Sequence, residues 1–134
     1  MPVFSNKQEL YEAMCSIWNH IGSDGLMSAP LVQSRLIVRF SFRNPDGQLT
    51  VDASDGKRLK VVPDECEVRP DIEMSMNSDL AHKIWSGEQS VPLALLQGKI
   101  RSRGQINKAL ALLPVIRPAF QVYPGMVESL KKSA

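Results

Sequence analysis

Between Arg35 and Arg43 the chain reads RLIVRFSFR, with a side-chain period of two. Leu36, Val38, Phe40 and Phe42 fall on one face. Arg35, Ile37, Arg39, Ser41 and Arg43 fall on the other. Successive strand residues point to opposite faces, so this alternation describes a half-buried strand. NPDG follows, with Pro45 suited to the second turn position and Gly47 to the last, which predicts a hairpin. QLTVDAS alternates again with Leu49, Val51 and Ala53 inward, and a turn at Asp55-Gly56 leads into a third strand in RLKVV. The chain therefore contains an antiparallel meander with one wet face.

The flanking segments read as cover for its apolar face. Ser5 and Gln8 have capping-box spacing. Leu10, Met14, Ile17, Trp18 and Ile21 follow at helical spacing as one apolar stripe. Gly22 is placed to end this helix in a left-handed turn, with His20 near the negative end of the helix dipole. SDGLMSAPLVQS reads as a loop that folds Leu26, Met27, Leu31 and Val32 back onto something apolar, with room for a short helical turn.

After the meander, PDECEVRP is a charged connector. DIEMSMN is a fourth strand with Ile72, Met74 and Met76 on one face. Ser78 then caps a short helix closed by Gly87, with Leu80, Ile84 and Trp85 pointing one way. VPLALL is a short apolar turn with Pro92 at a first helical position, and Gly98 breaks it. KIRSR is the fifth strand, with Ile100 and Ser102 inward and Lys99, Arg101 and Arg103 outward. From Gln105 to Tyr123 one long apolar helix is expected, disturbed by Pro114 and Pro118. PGMVESLKKSA is a last helix or a frayed tail. Strands followed by helices imply an α+β domain with helices layered on one face of the sheet.

The 134 residues fit one domain, 1–134. A net charge of +2 argues against a dedicated nucleic-acid binder. Cys15 and Cys66 have no metal-ligand spacing and fit a reducing compartment. Neither a secretory leader nor an apolar run of membrane-spanning length is read, so a soluble cytoplasmic protein is expected.

Catalytic signals are thin. His20 and His82 sit in no metal or nucleophile motif. Asp64, Glu65, Glu67, Asp71 and Glu73 read as a solvated connector rather than a metal loop. No Gly-rich phosphate loop is present, and no metal or cofactor is expected. Lys99, Arg101 and Arg103 project side by side, roughly 7 Å apart at two-residue spacing. They read first as a solvated strand face and second as a grip on an anionic head group.

The apolar signal is heavier. Met27, Met74 and Met76 are adaptable side chains. The segment from Ile106 to Phe120 is apolar around most of its circumference, which calls for deep burial, a partner or an apolar ligand.

Two landmarks carry a resemblance. PDIEMSMNSDLAHKIWSG is an alternating strand, a Ser/Asp helix start and an apolar helix ending in glycine. LALLQGKIRSRGQINKALALL is an apolar turn, glycine, a basic alternating strand, glycine and an apolar helix. Together, at this spacing, they resemble the sterol carrier protein-2 family. The order of the upstream helix and meander extends the resemblance over nearly the whole chain.

The resemblance implies a five-stranded mixed sheet covered by helices and enclosing an apolar tunnel. It also implies a non-catalytic carrier of a fatty acid, acyl-CoA, sterol or isoprenoid-type lipid, in transient contact with membranes. Carried over to this chain, the lipid-binding residues are Met74, Met76, Trp85, Leu93, Leu96, Ile100, Ile106, Leu110, Leu113 and Met126, with Leu130 beside Met126 at one end. Ser102 stands inward where the family usually has an apolar residue, and Gln105 stands where an aspartate commonly starts the helix. The alternative is an interaction or dimerisation module for a lipid-metabolism assembly, in which the loop from Ser23 to Gln33 and the C-terminal helix dock on a partner or form a homodimer.

Overall fold

The computed structural model describes residues 3–133; Met1, Pro2 and Ala134, the ends of the expected domain, lie outside the described residues. Its strands are β1 (Ile37–Arg43), β2 (Gly47–Asp52), β3 (Lys60–Pro63), β4 (Ile72–Asn77) and β5 (Arg101–Gly104). They form one sheet in the order β3-β2-β1-β4-β5. β1 and β4 run parallel and the other pairs antiparallel, so the sheet is mixed. The helices are α1 (Lys7–Ser23), α2 (Gly25–Ser34), α3 (Ser78–Trp85), α4 (Val91–Leu96), α5 (Ile106–Leu110) and α6 (Leu113–Ser133).

The register puts the alternating apolar residues in rows across the inner face. Val61, Val51, Val38, Ile72 and Gly104 form one row, and Pro63, Leu49, Phe40, Met74 and Ser102 the next. Gly104 has a φ of +89°, and a Cβ built on it would lie 2.0 Å from the Asp71 carbonyl oxygen. Only glycine lets β5 come this close to β4 before the chain reverses into α5. Ser102 shares the inner row with Met74, but it is exposed at the sheet edge rather than buried as expected.

The outer face is polar and organised by Arg39. Its guanidinium donates to the Thr50 hydroxyl at 3.2 Å, to the Cys66 carbonyl at 3.1 Å and to the Val68 carbonyl, and lies 3.8 Å from the Glu73 carboxylate. One cation thus satisfies a buried threonine and ties the connector between β3 and β4 to the sheet. Charge-assisted bonds of this kind are the strong ones.

Several helix boundaries differ from the expectation. Asn6, not Ser5, caps α1: its side chain accepts from Glu9 N–H, while the Glu9 carboxylate accepts from Ser5 N–H, both at 2.9 Å. Gly22 makes no left-handed turn, because α1 continues to Ser23. Asp24 ends α1 and starts α2, with its N–H bonded to Ile21 O and its carboxylate accepting from Leu26 and Met27 N–H. This double cap turns the expected loop into a helix that tolerates Pro30. Asn77, not Ser78, caps α3. Ser78 is buried inside the first turn and donates to the Pro45 carbonyl at 2.8 Å, locking α3 to the β1–β2 turn.

The single long helix expected after Gln105 is two. α5 stops at Leu110, and α6 runs from Leu113 to Ser133, taking in the expected tail. Pro114 falls in the first turn of α6, where a missing N–H costs no intrahelical bond. Pro118 and Pro124 lie within the helix.

Candidate functional site

α1 buries Leu10, Ala13, Met14, Ile17, Trp18 and Ile21, so its apolar stripe is committed to the core. Between this helix, the inner face of the sheet and the C-terminal helices lies an apolar cavity of about 110 Å³. β1 lines it with Val38, Phe40 and Phe42, and Leu36 adds to them just before the strand. β4 contributes Met74 and Met76. Met14 and Trp18 reach it from α1, Ala81, Ile84 and Trp85 from α3, and Ile116 and Phe120 from α6.

The lining has one side chain whose only functional group is polar, Ser34, and its hydroxyl is occupied. It donates to the Leu31 carbonyl at 2.6 Å and accepts from Leu36 N–H at 3.2 Å. Around the cavity the aromatic rings form a connected set. Trp18 lies 5.7 Å from Phe40 and 5.5 Å from Trp85, and Trp85 lies 5.2 Å from Phe120. A wall of this kind selects by shape and apolarity, and it has no charged group with which to hold a head group.

The structure brings Met74, Met76, Trp85, Ile100, Leu110 and Leu113 together in this lining. Ile106 is partly buried and packs on the core without lining the cavity. Leu93 and Leu96 point outward, 47% and 84% exposed. Met126 lies with Leu130 on an open depression along α6, away from the cavity. Sequence reasoning placed Trp18, Phe40 and Phe42 in the core or on the apolar strand face without assigning them to a site. Their alternation and helical spacing give burial, but which buried residues border a gap depends on how far the helices stand off the sheet.

His82 lies just outside the lining. Its Nδ1 is 2.9 Å from the Tyr123 hydroxyl, and Phe4 packs edge-on against its ring at 5.8 Å. Burial, then the charge of Lys131, lowers its pKa, and burial raises that of Tyr123 above the ordinary phenol range. The pair joins α3 to α6. Among the described residues no three of His, Cys, Asp and Glu gather as they would around a metal ion. Nor, among the described residues, is any helix long and apolar enough to cross a membrane.

A mixed five-stranded sheet with helices over one face and an apolar cavity beneath them defines a small α+β domain built around an internal apolar site. Residues 26–117 match the model of the SCP-2 sterol transfer family, and the chain belongs to that family. Its fold is similar to the sterol carrier protein domain 2 of Helicoverpa armigera, with a TM-score of 0.69 at 23% identity over 90% of this chain and 95% of that one. Sterol carrier protein 2 from Yarrowia lipolytica matches with a TM-score of 0.61 at 17% identity, over 81% of this chain and 93% of that one. Palmitated SCP2L2 from Aedes aegypti matches with a TM-score of 0.60 at 22% identity, over 87% and 95%. No curated protein matches the chain in sequence.

Proposed function

We propose that this protein is a non-catalytic lipid carrier that encloses the apolar part of a fatty acid, acyl-CoA, sterol or isoprenoid-type lipid in the cavity and leaves any polar head outside it. The observation that carries this is the lining: aliphatic, aromatic and methionine side chains, with the Ser34 hydroxyl already bonded within the protein. Membership of the SCP-2 sterol transfer family supports it. The likeness to a palmitated relative favours a fatty acyl chain among the candidates.

The cavity of about 110 Å³ is smaller than the roughly 300–1,000 Å³ of sites that enclose whole drug-sized ligands. A long lipid therefore enters as the wall gives way. Met74 and Met76 are suited to this, being unbranched and easily repacked. The break between α5 and α6 gives the opposite wall a natural joint.

Extraction of the purified protein followed by mass spectrometry is expected to find bound acyl or isoprenoid lipid. A fluorescent fatty acid is expected to bind and to be displaced by unlabelled lipid. No co-purifying lipid together with no fluorescent binding removes the proposal. A strict dimer with no lipid would instead favour the interaction-module reading.

A further inference from the structure

α6 forms part of the cavity wall and is fastened by one buried polar contact. Ile116 and Phe120 face the cavity from its first half. Its buried positions are Ile116, Ala119, Tyr123 and Val127. Residues three and four apart share a helix face, so these form one stripe, and α6 packs against α1, α2 and α3. Tyr123 is 0% exposed, and its hydroxyl has one partner among the described residues, His82 Nδ1 at 2.9 Å.

One arrangement of protons satisfies both groups. With the ring neutral, the phenol O–H donates to Nδ1, and the ring proton sits on Nε2, facing the Ser86 hydroxyl at 3.5 Å. An imidazolium carries a proton on each nitrogen. Nδ1–H then donates to the phenol oxygen, and the phenol proton is left without an acceptor among the described residues. Leaving a buried donor unpaired is costly, and solvent supplies an acceptor only when Tyr123 leaves its pocket.

The surroundings do not rescue the cation. Phe4, from the N-terminal segment, presents a ring at 5.8 Å. Burial opposes the imidazolium most strongly, and Lys131 of α6 adds to it; Glu88, just past α3, and Asp79, in its first turn, favour it less. The Asp79 carboxylate already accepts from Val3 N–H at 2.9 Å.

We infer that His82 and Tyr123 form a pH-sensitive latch, which holds α6 over the cavity while His82 is neutral and frees α6, with release of the enclosed lipid, when His82 takes up a proton. The packing couples this latch to the cavity. Tyr123 lies one turn beyond Phe120, and His82 one turn before Trp85. Trp85 lines the cavity and packs against both α6 rings, 5.2 Å from Phe120 and 6.2 Å from Tyr123. The break between α5 and α6 gives the start of α6 a pivot. The closed form holds neutral His82 and encloses lipid, so protonation weakens lipid binding and, reciprocally, bound lipid opposes protonation. The change falls below the ordinary histidine value of 6.5. This rests on the lipid-carrier reading and can fail while that reading stands.

A pyrene-labelled alkane serves as the probe, because it has no group that titrates. Its affinity for wild type is expected to fall about tenfold between about pH 7.5 and about pH 5.5, the scale of one stranded buried hydroxyl. Acrylamide quenching of Trp18 and Trp85, both in the cavity wall, should rise over the same range while far-UV circular dichroism stays native. His82→Asn keeps an acceptor near the position of Nδ1 and cannot titrate. It should bind the alkane at the lower pH as tightly as at the higher. Tyr123→Phe has no latch bond at any pH and should bind about fivefold more weakly than wild type already at the higher pH. His20→Gln, on the last turn of α1, should keep the wild-type pH dependence.

Alkane affinity that does not change with pH overturns the inference and leaves the carrier reading in place. A protein that binds the alkane at no pH overturns both. A loss of affinity that persists in His82→Asn, or that comes with loss of the helical signal, assigns the effect to another group or to global unfolding and also overturns the inference. Should His82→Asn fail to fold, an NMR titration of wild type decides. The His82 ring protons should report a lower pKa with alkane bound than without, and equal values overturn the latch.

Discussion

Trp18 and Trp85 meet edge to face in the cavity lining, with ring centroids 5.5 Å apart and planes at 88°. One comes from α1 and the other from α3, so the contact joins helices far apart in the sequence. They are the two tryptophans of the chain. Intrinsic fluorescence therefore reports on the cavity, and adding a fatty acid is expected to shift emission intensity or wavelength. Trp18→Phe and Trp85→Phe should each remove part of the change. A spectrum indifferent to lipid, in a protein that demonstrably binds it, would place the ligand elsewhere.

Met76 and Leu10 are both buried, but Met76 borders the cavity and Leu10 does not. Truncating a close-packed side chain leaves a void and costs about 2–5 kcal/mol. Met76→Ala removes atoms that are packed on one side only, so a loss near the lower end, about 2 kcal/mol, is expected. Leu10→Ala should lie near the upper end, about 4 kcal/mol. Urea denaturation of delipidated protein measures both. Met76→Ala should also shift the preference among lipid chain lengths, and equal losses with unchanged preference would count against the cavity role of Met76.

Gly104→Ala and Gly87→Ala isolate close approach from backbone strain. Both glycines have positive φ, but a Cβ at Gly87 meets nothing within 4 Å, whereas one at Gly104 strikes the Asp71 carbonyl. Gly87→Ala should cost about 1–2 kcal/mol, the penalty of a left-handed conformation. Gly104→Ala should cost more, about 3 kcal/mol or above, because β5 must move off β4. Amide hydrogen exchange in β5 should rise in the Gly104 variant and stay at wild-type values in the Gly87 variant.

His82 predicts a pH dependence with a definite sign. Its pKa is below the ordinary 6.5 in the folded protein, chiefly because burial disfavours the cation. The unfolded chain therefore binds the proton first, and stability falls as pH drops from about 6.5 toward the lower folded value. Above that window the contribution is fully present. Urea melts over a pH series should show this loss in wild type, and His82→Gln should flatten it. An identical slope in both proteins would remove His82 as its source.

Several features of this fold were legible in local chemistry. Period-two alternation set β1, β2 and β4 and named their inner faces, because strand side chains point alternately to the two sides of a sheet. Gly104 was legible as a reversal point between β5 and the helix after it. Asp24 was not legible as a double cap, since its effect depends on α1 ending one residue before it. The break at Ala111–Leu112 was hidden as well, because apolar periodicity continues through it and only the packing of α6 against α1, α2 and α3 separates two helices from one. For the site, the sequence marked a surplus of apolar residues and six of those that line the cavity, Met74, Met76, Trp85, Ile100, Leu110 and Leu113. Leu93 and Leu96 look the same in sequence and face outward, because α4 is a short helix that can bury one side only. Which apolar side chains enclose space, which pack solidly and which meet solvent is set by distances between helices and sheet, and those exist only once the chain has folded.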